Sequence, residues 1–347
     1  MKTKDFKIEN FIRTNVQNMA PYSSARDEFT KVADVYLDAN ENPFENGINR
    51  YPDPYQKLVK ERLSEIKNIP TQNMILGNGS DEILDLIFRA FCEPKEDNVI
   101  CTPPTYGMYK VLAGLNDIEL KNSVLTVDFN LNVADILSQI DANTKIIFLC
   151  SPNNPTGNII PENQIEEVLT KSNCLVVIDE AYIDFASSPS WTTKLEQYPN
   201  LIVCQTLSKA YGMAGIRLGL CFASTKIVSV LNKIKPPYNV NVLTQRTALE
   251  ALNDVEGYEG KLELILQERE SMRDALSELS FVKKIYPSDA NFWLIKVEDA
   301  NNIYNKLLDL GIVIRNRCNQ VLCENTLRIT IGTPIENEKL IQALRKL

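Results

Sequence analysis

The 347-residue chain contains no histidine at all. That absence excludes every Ser/His and Cys/His nucleophilic triad. It also removes the commonest metal ligand: Cys318 and Cys323 lie close together, but no second close cysteine pair stands beside them, so no metal is expected. No G-x-x-x-x-G-K-[ST] segment occurs. No apolar run is long enough to span a bilayer, and no apolar run follows the basic Met1–Lys7, so neither a membrane anchor nor a signal peptide is expected. The eight cysteines are scattered, several inside apolar runs, as suits reduced buried thiols in a cytoplasmic protein. The net charge of −8 disfavours nucleic acid and anionic membranes as partners; an anionic substrate must be held by local cations.

What is present is an alternation of apolar strands and amphipathic helices. Strand-like runs occur at residues 74–76, 98–101, 145–149, 175–178, 201–204 and 218–222. Their near-continuous apolar character predicts a mainly parallel sheet buried on both faces. After Ser80, residues Ile83, Leu84, Ile87, Phe88 and Phe91 share one helical face. Residues 1–30 read as an N-terminal arm packing with the small domain, residues 31–235 as a large three-layer α/β/α domain, and residues 236–347, after Lys235-Pro236-Pro237, as a small α+β domain. In the last, a long helical stretch over about 242–279 breaks near Gly257, and strands are expected at 290–295, 311–315 and 327–331.

Several segments at strand ends carry chemistry. Gly77-Asn78-Gly79-Ser80-Asp81-Glu82 follows a strand and opens a helix, where backbone N–H groups suit an anion. The same residues also read as a plain helix cap. Glu82 occupies the place of a third glycine, so this is no dinucleotide fingerprint. Ser151-Pro152-Asn153-Asn154-Pro155-Thr156-Gly157 forces a turn at a strand end, where open α/β sheets bind ligands. Asp179 ends another strand and is either solvated, capping, or paired with a buried cation. Lys209 lies in a Ser/Gly/Ala-rich loop, with Arg217 eight residues on. An amine, a carboxylate and nearby cations are what pyridoxal phosphate (PLP) requires for its aldehyde, ring nitrogen and phosphate. In such a site Asn154 and Tyr182 would bond the ring's phenolic oxygen. Ser80, the 79–81 backbone (Gly79, Ser80, Asp81), Thr206, Ser208 and Arg217 would surround the phosphate. Tyr106 would stack on the ring or serve as a core aromatic. Arg328, a charge inside the apolar strand Leu327-Arg328-Ile329, needs an anion, either substrate or a buried carboxylate; Arg315 is a second candidate.

The order and spacing of these segments resemble fold type I PLP-dependent aminotransferases. The pair Asn40-Glu41-Asn42-Pro43 and Arg50-Tyr51-Pro52-Asp53-Pro54 narrows the resemblance to the histidinol-phosphate aminotransferases, from about Tyr36 to the C-terminus. In the arm, Pro21-Tyr22 fits that family but Ser23-Ser24-Ala25-Arg26 departs from its commonest pattern. The resemblance implies a homodimer with the site at the subunit interface and Tyr51 reaching the neighbour's cofactor phosphate. It implies that Lys209 carries PLP and acts as general acid/base, with Asp179 and Tyr182 supporting the ring. Arg328, Tyr22, Arg315 and Asn154 would hold the substrate anion, a phosphate in histidinol phosphate or a carboxylate in glutamate. The implied reaction joins L-histidinol phosphate and 2-oxoglutarate to imidazole-acetol phosphate and glutamate, in histidine biosynthesis. A threonine-phosphate decarboxylase, a broad aromatic-amino-acid aminotransferase and a non-catalytic PLP-fold module are the alternatives.

Overall fold

A computed structural model describes residues 6–21 and 33–347. Tyr22 therefore lies outside the described residues. Seven strands form one sheet: β1 (Met74–Asn78), β2 (Asn98–Cys101), β3 (Glu119–Asn122), β4 (Thr144–Cys150), β5 (Leu175–Asp179), β6 (Leu201–Thr206) and β7 (Leu218–Ala223). Their order is β1-β7-β6-β5-β4-β2-β3, parallel except for β7, which runs antiparallel to both neighbours. Side chains alternate between two separate cores. Ile147, Leu149, Val176 and Ile178 point to one, and Ile146, Phe148, Leu175 and Val177 to the other. Helices cover both faces, which is why these strands read as unbroken apolar runs.

A second, fully antiparallel sheet has the order β10-β11-β9-β8, formed by β8 (Val282–Ile285), β9 (Phe292–Val297), β10 (Arg315–Asn316) and β11 (Thr326–Thr330). The strand expected at 311–315 shrinks to β10. Gly311, at φ +73°, closes the preceding helix Ala300–Asp309: its N–H donates to Leu308 O (2.9 Å) and that of Ile312 to Leu307 O (2.8 Å). This left-handed cap uses the residues that the apolar pattern had suggested for a strand. The strands β3 and β8 are half-exposed edges without an apolar run, and sequence patterning missed both.

The described part of the arm packs on the large layer, not on the small sheet. Ile8, Phe11 and Val16 join the core formed by helix Ser80–Phe91, and Arg13 donates from Nε and Nη2 to Glu93 (3.2 and 3.1 Å). The apolar face of this short segment completes the outside of that helix layer. The prolines at 236–237 do not end the large core either, because Val240, Ala248 and Leu252 pack inside it. The crossing occurs along helix Val255–Ser277. Tyr258 and Leu262 lie against Tyr182 and Phe292, whereas Met272 and Leu276 belong to the core of the small sheet.

Candidate active site

The parallel strands β4, β5 and β6 end side by side at Cys150, Asp179 and Thr206. A cavity of about 140 Å³ opens there, lined by these three residues and by Ser80, Asp81, Tyr106, Asn154, Tyr182, Ser208, Lys209 and Arg217, among others. It lies beyond the carboxyl ends of the strands, where an open α/β sheet presents its ligand crevice.

Asp179 is the most constrained group. It is 3% exposed; its Oδ2 accepts from the Tyr109 hydroxyl (2.8 Å) and its Oδ1 from the Ala181 N–H (3.2 Å). Burial pushes its carboxyl up to about 6, while those two donors pull the other way. A carboxylate so buried, with only neutral donors, has room for a cationic partner such as a protonated ring nitrogen. Tyr109 was not singled out from sequence. No pattern in the sequence marks it; its ring meets that of Tyr106 edge-on at 5.6 Å.

The Lys209 ammonium sits 5.6 Å from the centroid of the Tyr182 ring and has no hydrogen-bond acceptor among the described residues. Although its side chain opens towards solvent, partial desolvation and then the Arg328 charge hold its amine below the ordinary lysine range. Tyr182 is 7% exposed, packs edge-on to Phe292 at 5.2 Å, and is kept protonated by burial.

An anion cradle faces these groups. Gly79 takes φ +81° just before helix Ser80–Phe91, and a Cβ there would meet Arg217 Nη2 at 2.6 Å. Opposite, Gly219 faces Gly77 in the β1–β7 ladder; a Cβ on Gly219 would lie 2.3 Å from Ser80 N. Two glycines thus clear the helix N-terminus, and Gly219 went unnoticed in the sequence. Thr206 Oγ1 donates to Ser208 Oγ (2.9 Å) and accepts from Ser208 N–H (3.1 Å), and both residues line the cavity with Ser80 and Arg217. Arg217 Nη2 lies 3.8 Å from Asp81 Oδ2, and Tyr106 donates to Asp81 Oδ1 (3.0 Å).

From the small sheet, Arg328 meets Asn154, one of the residues lining the cavity. Its Nη1 donates to Asn154 Oδ1, its guanidinium lies 5.2 Å from the Phe292 ring centroid, and its buried Nε has no partner. Arg315 is its cross-strand neighbour. Tyr51 is not brought to the cavity of its own chain: it is half-exposed and stacks on Tyr238 at 4.5 Å. The buried carboxylate, the unpaired amine and the glycine cradle together fit PLP.

The model for the family "Aminotransferase class I and II" matches residues 17–344. Histidinol-phosphate aminotransferases from Flavobacterium johnsoniae and Christiangramia forsetii are 56% and 58% identical over 345 and 346 residues, covering 99% of this chain and of each relative. The crystal structure of the histidinol-phosphate aminotransferase from Clostridium acetobutylicum superposes with a TM-score of 0.80 at 26% identity, covering 86% of this chain and 90% of that one. The chain belongs to the class I and II aminotransferase family, within its histidinol-phosphate aminotransferase branch.

Proposed function

We propose that the protein transfers the amino group of L-histidinol phosphate to 2-oxoglutarate, giving imidazole-acetol phosphate and L-glutamate, in histidine biosynthesis. The observation that carries this reading is the meeting of Lys209, Asp179, Tyr182, Asn154 and Arg217 in one cavity, with Arg328 at its edge. The names of relatives more than half identical over the whole chain support the substrate.

When bound, PLP supplies an electron sink for deprotonation at the substrate Cα. Lys209 would hold it covalently between turnovers and would carry the proton taken from the substrate Cα. Desolvation and then the Arg328 charge lower its pKa, the direction that favours an amine serving as a proton acceptor. Asp179 would keep a proton on the ring nitrogen. Tyr182 and Asn154 would donate to the ring's phenolic oxygen, and Tyr106 would pack against the ring. Residues 79–81, Thr206, Ser208 and Arg217 would hold the phosphate. Arg328, Arg315 and Asn154, with Tyr22 from the arm, hold the substrate anion. One set of cations thereby serves a phosphate in one half-reaction and a carboxylate in the other.

We also infer a cytoplasmic homodimer. Ile48 and Leu243 are exposed and line one surface hollow with Tyr51, an apolar patch of the kind a subunit interface covers. Among the described residues no helix is long and apolar enough to cross a membrane. A coupled assay with imidazole-acetol phosphate and glutamate tests the reaction. Release of CO₂ from threonine phosphate, with no transfer to that acceptor, would identify a decarboxylase instead.

A further inference from the structure

Arg317 plays no part in the site as read so far. It follows β10, and its N–H donates to Thr326 O (3.0 Å), so the β10–β11 ladder runs on for one more residue. In that ladder Arg315 faces Arg328, which puts Arg317 opposite Thr326. Alternation therefore sets Arg315, Arg317 and Arg328 on one face of the two strands. Among the described residues none of the three forms an ion pair. Buried Nε atoms of both Arg317 and Arg328 have no partner. The Thr326 hydroxyl is already committed to Cys323 O (2.7 Å) and offers Arg317 nothing.

Three guanidiniums on one face, without a carboxylate, repel one another. Burial and then the charges of Arg328 and Arg315 push the Arg317 guanidinium down to about 10. Arg328 donates to Asn154, which lines the cavity, so the face that the three arginines share adjoins the site. Such an arrangement is tolerated where an anion regularly occupies it. A carboxylate carries one negative charge. A phosphate monoester above its second pKa, near 6, carries about two and offers three acceptor oxygens. Each added cation therefore gains about twice as much from the phosphate as from the carboxylate.

We propose that Arg317 is a specificity-determining residue which, with Arg315 and Arg328, makes a three-arginine face selecting a dianionic phosphate monoester over a carboxylate. This rests on the reading of the site as one that accepts both anions. Arg328 would anchor either substrate, whereas Arg317 would be needed only for the second charge.

The test is titration calorimetry of inorganic phosphate and of propionate into the PLP-loaded enzyme, wild type against Arg317→Gln, with KM values for histidinol phosphate and glutamate alongside. Phosphate affinity should fall roughly tenfold or more in the variant, and propionate affinity should change less than about twofold. The KM for histidinol phosphate should rise by a similar factor as phosphate binding weakens, with that for glutamate nearly unmoved. Arg317→Met keeps the aliphatic stem and should give the same result if the amide disturbs packing. Equal losses for both anions, or none for phosphate, overturn the proposal. If the wild-type enzyme fails to turn over histidinol phosphate, the substrate reading fails, yet the phosphate-to-propionate ratio still decides the role of Arg317.

Discussion

Arg328 on β11 donates to the side-chain oxygen of Asn154, in the turn after β4, and so ties the small sheet to the head of the large one. The bond fixes the Asn154 amide: with Oδ1 taken, Nδ2 is the group left to donate into the cavity. In the proposed site one residue would thus serve both the cofactor ring and the substrate anchor. Asn154→Ala and Arg328→Lys should each lower kcat/KM, and the double variant should lose less than the sum. A coupling of about 1–3 kcal/mol is expected for a contact of this kind. Strict additivity in a double-mutant cycle would mean that the two residues act independently.

Lys209→Ala should fold and bind PLP without a covalent link, because the cradle and Asp179 remain. Turnover should fall on the order of 10²-fold or more, since nucleophile and proton carrier vanish together. Borohydride reduction of the wild-type holoenzyme, followed by peptide mass spectrometry, should mark Lys209. A label on another lysine removes it from its proposed role.

How much of this was legible in the sequence depended on where the information sits. The buried strands announced themselves because both faces are apolar, and Asp179 and Arg328 because each is a charge beside such a run. Edge strands β3 and β8 carried no comparable pattern. Tyr109, Gly219 and Arg317 were missed for a common reason. Each matters through a partner far along the chain or across a ladder: Asp179 lies 70 residues from Tyr109, and Ser80 lies 139 residues before Gly219. Only pairing in three dimensions turns an ordinary tyrosine, glycine or arginine into part of a site. The arm misled for the opposite reason, since a short apolar face does not say which of two cores it joins.

Glu180, 1% exposed, accepts from Ser190 Oγ (2.5 Å), Trp191 N–H (2.7 Å) and Gln205 Nε2 (2.8 Å), yet burial pushes its carboxyl up to about 7 from an ordinary 4.5. Between those values the folded chain binds the proton more tightly than the unfolded one. Stability should therefore fall as pH rises from about 4.5 to 7, by an amount on the order of 3 kcal/mol from this group. Asp179 acts in the same sense between 3.8 and about 6 when no cation faces it. Glu180→Gln should flatten the slope in denaturant titrations of the cofactor-free protein, whatever it does to absolute stability. An unchanged slope between pH 4.5 and 7 would rule Glu180 out as its source.

Gly219→Ala should be severe. The added Cβ would meet Ser80 N at 2.3 Å and Gly79 C at 2.4 Å, and backbone atoms cannot swing aside as a side chain can. The junction of β1 with helix Ser80–Phe91 must shift, and the phosphate cradle with it. A loss of about 2 kcal/mol or more in stability and roughly tenfold or more in PLP affinity is expected. Gly114→Ala, where nothing lies within 4 Å, is the control and should be near neutral. Equal behaviour of the two variants would show that the close approach of Gly219 does not shape the cradle.

The proposed dimer can be tested through Tyr51. The Glu41 side chain, 3% exposed, pairs with Arg50 Nη1 (2.9 Å) and accepts from the Tyr51 N–H (2.6 Å), so the backbone is held firmly while the half-exposed ring leans on Tyr238. In the proposed dimer, a residue fixed in this way and absent from its own cavity would complete the neighbour's site. Tyr51→Ala should weaken PLP binding. Mixed and reassembled with Lys209→Ala, it should recover activity, because each hybrid dimer contains one site with a native Lys209 and a native Tyr51. Random reassortment gives roughly one quarter of all sites in that state. Recovery to about that fraction, with a dimer mass by light scattering, supports a shared site. A fully active monomer, or no recovery among verified hybrids, would place Tyr51 outside the neighbour's cofactor pocket.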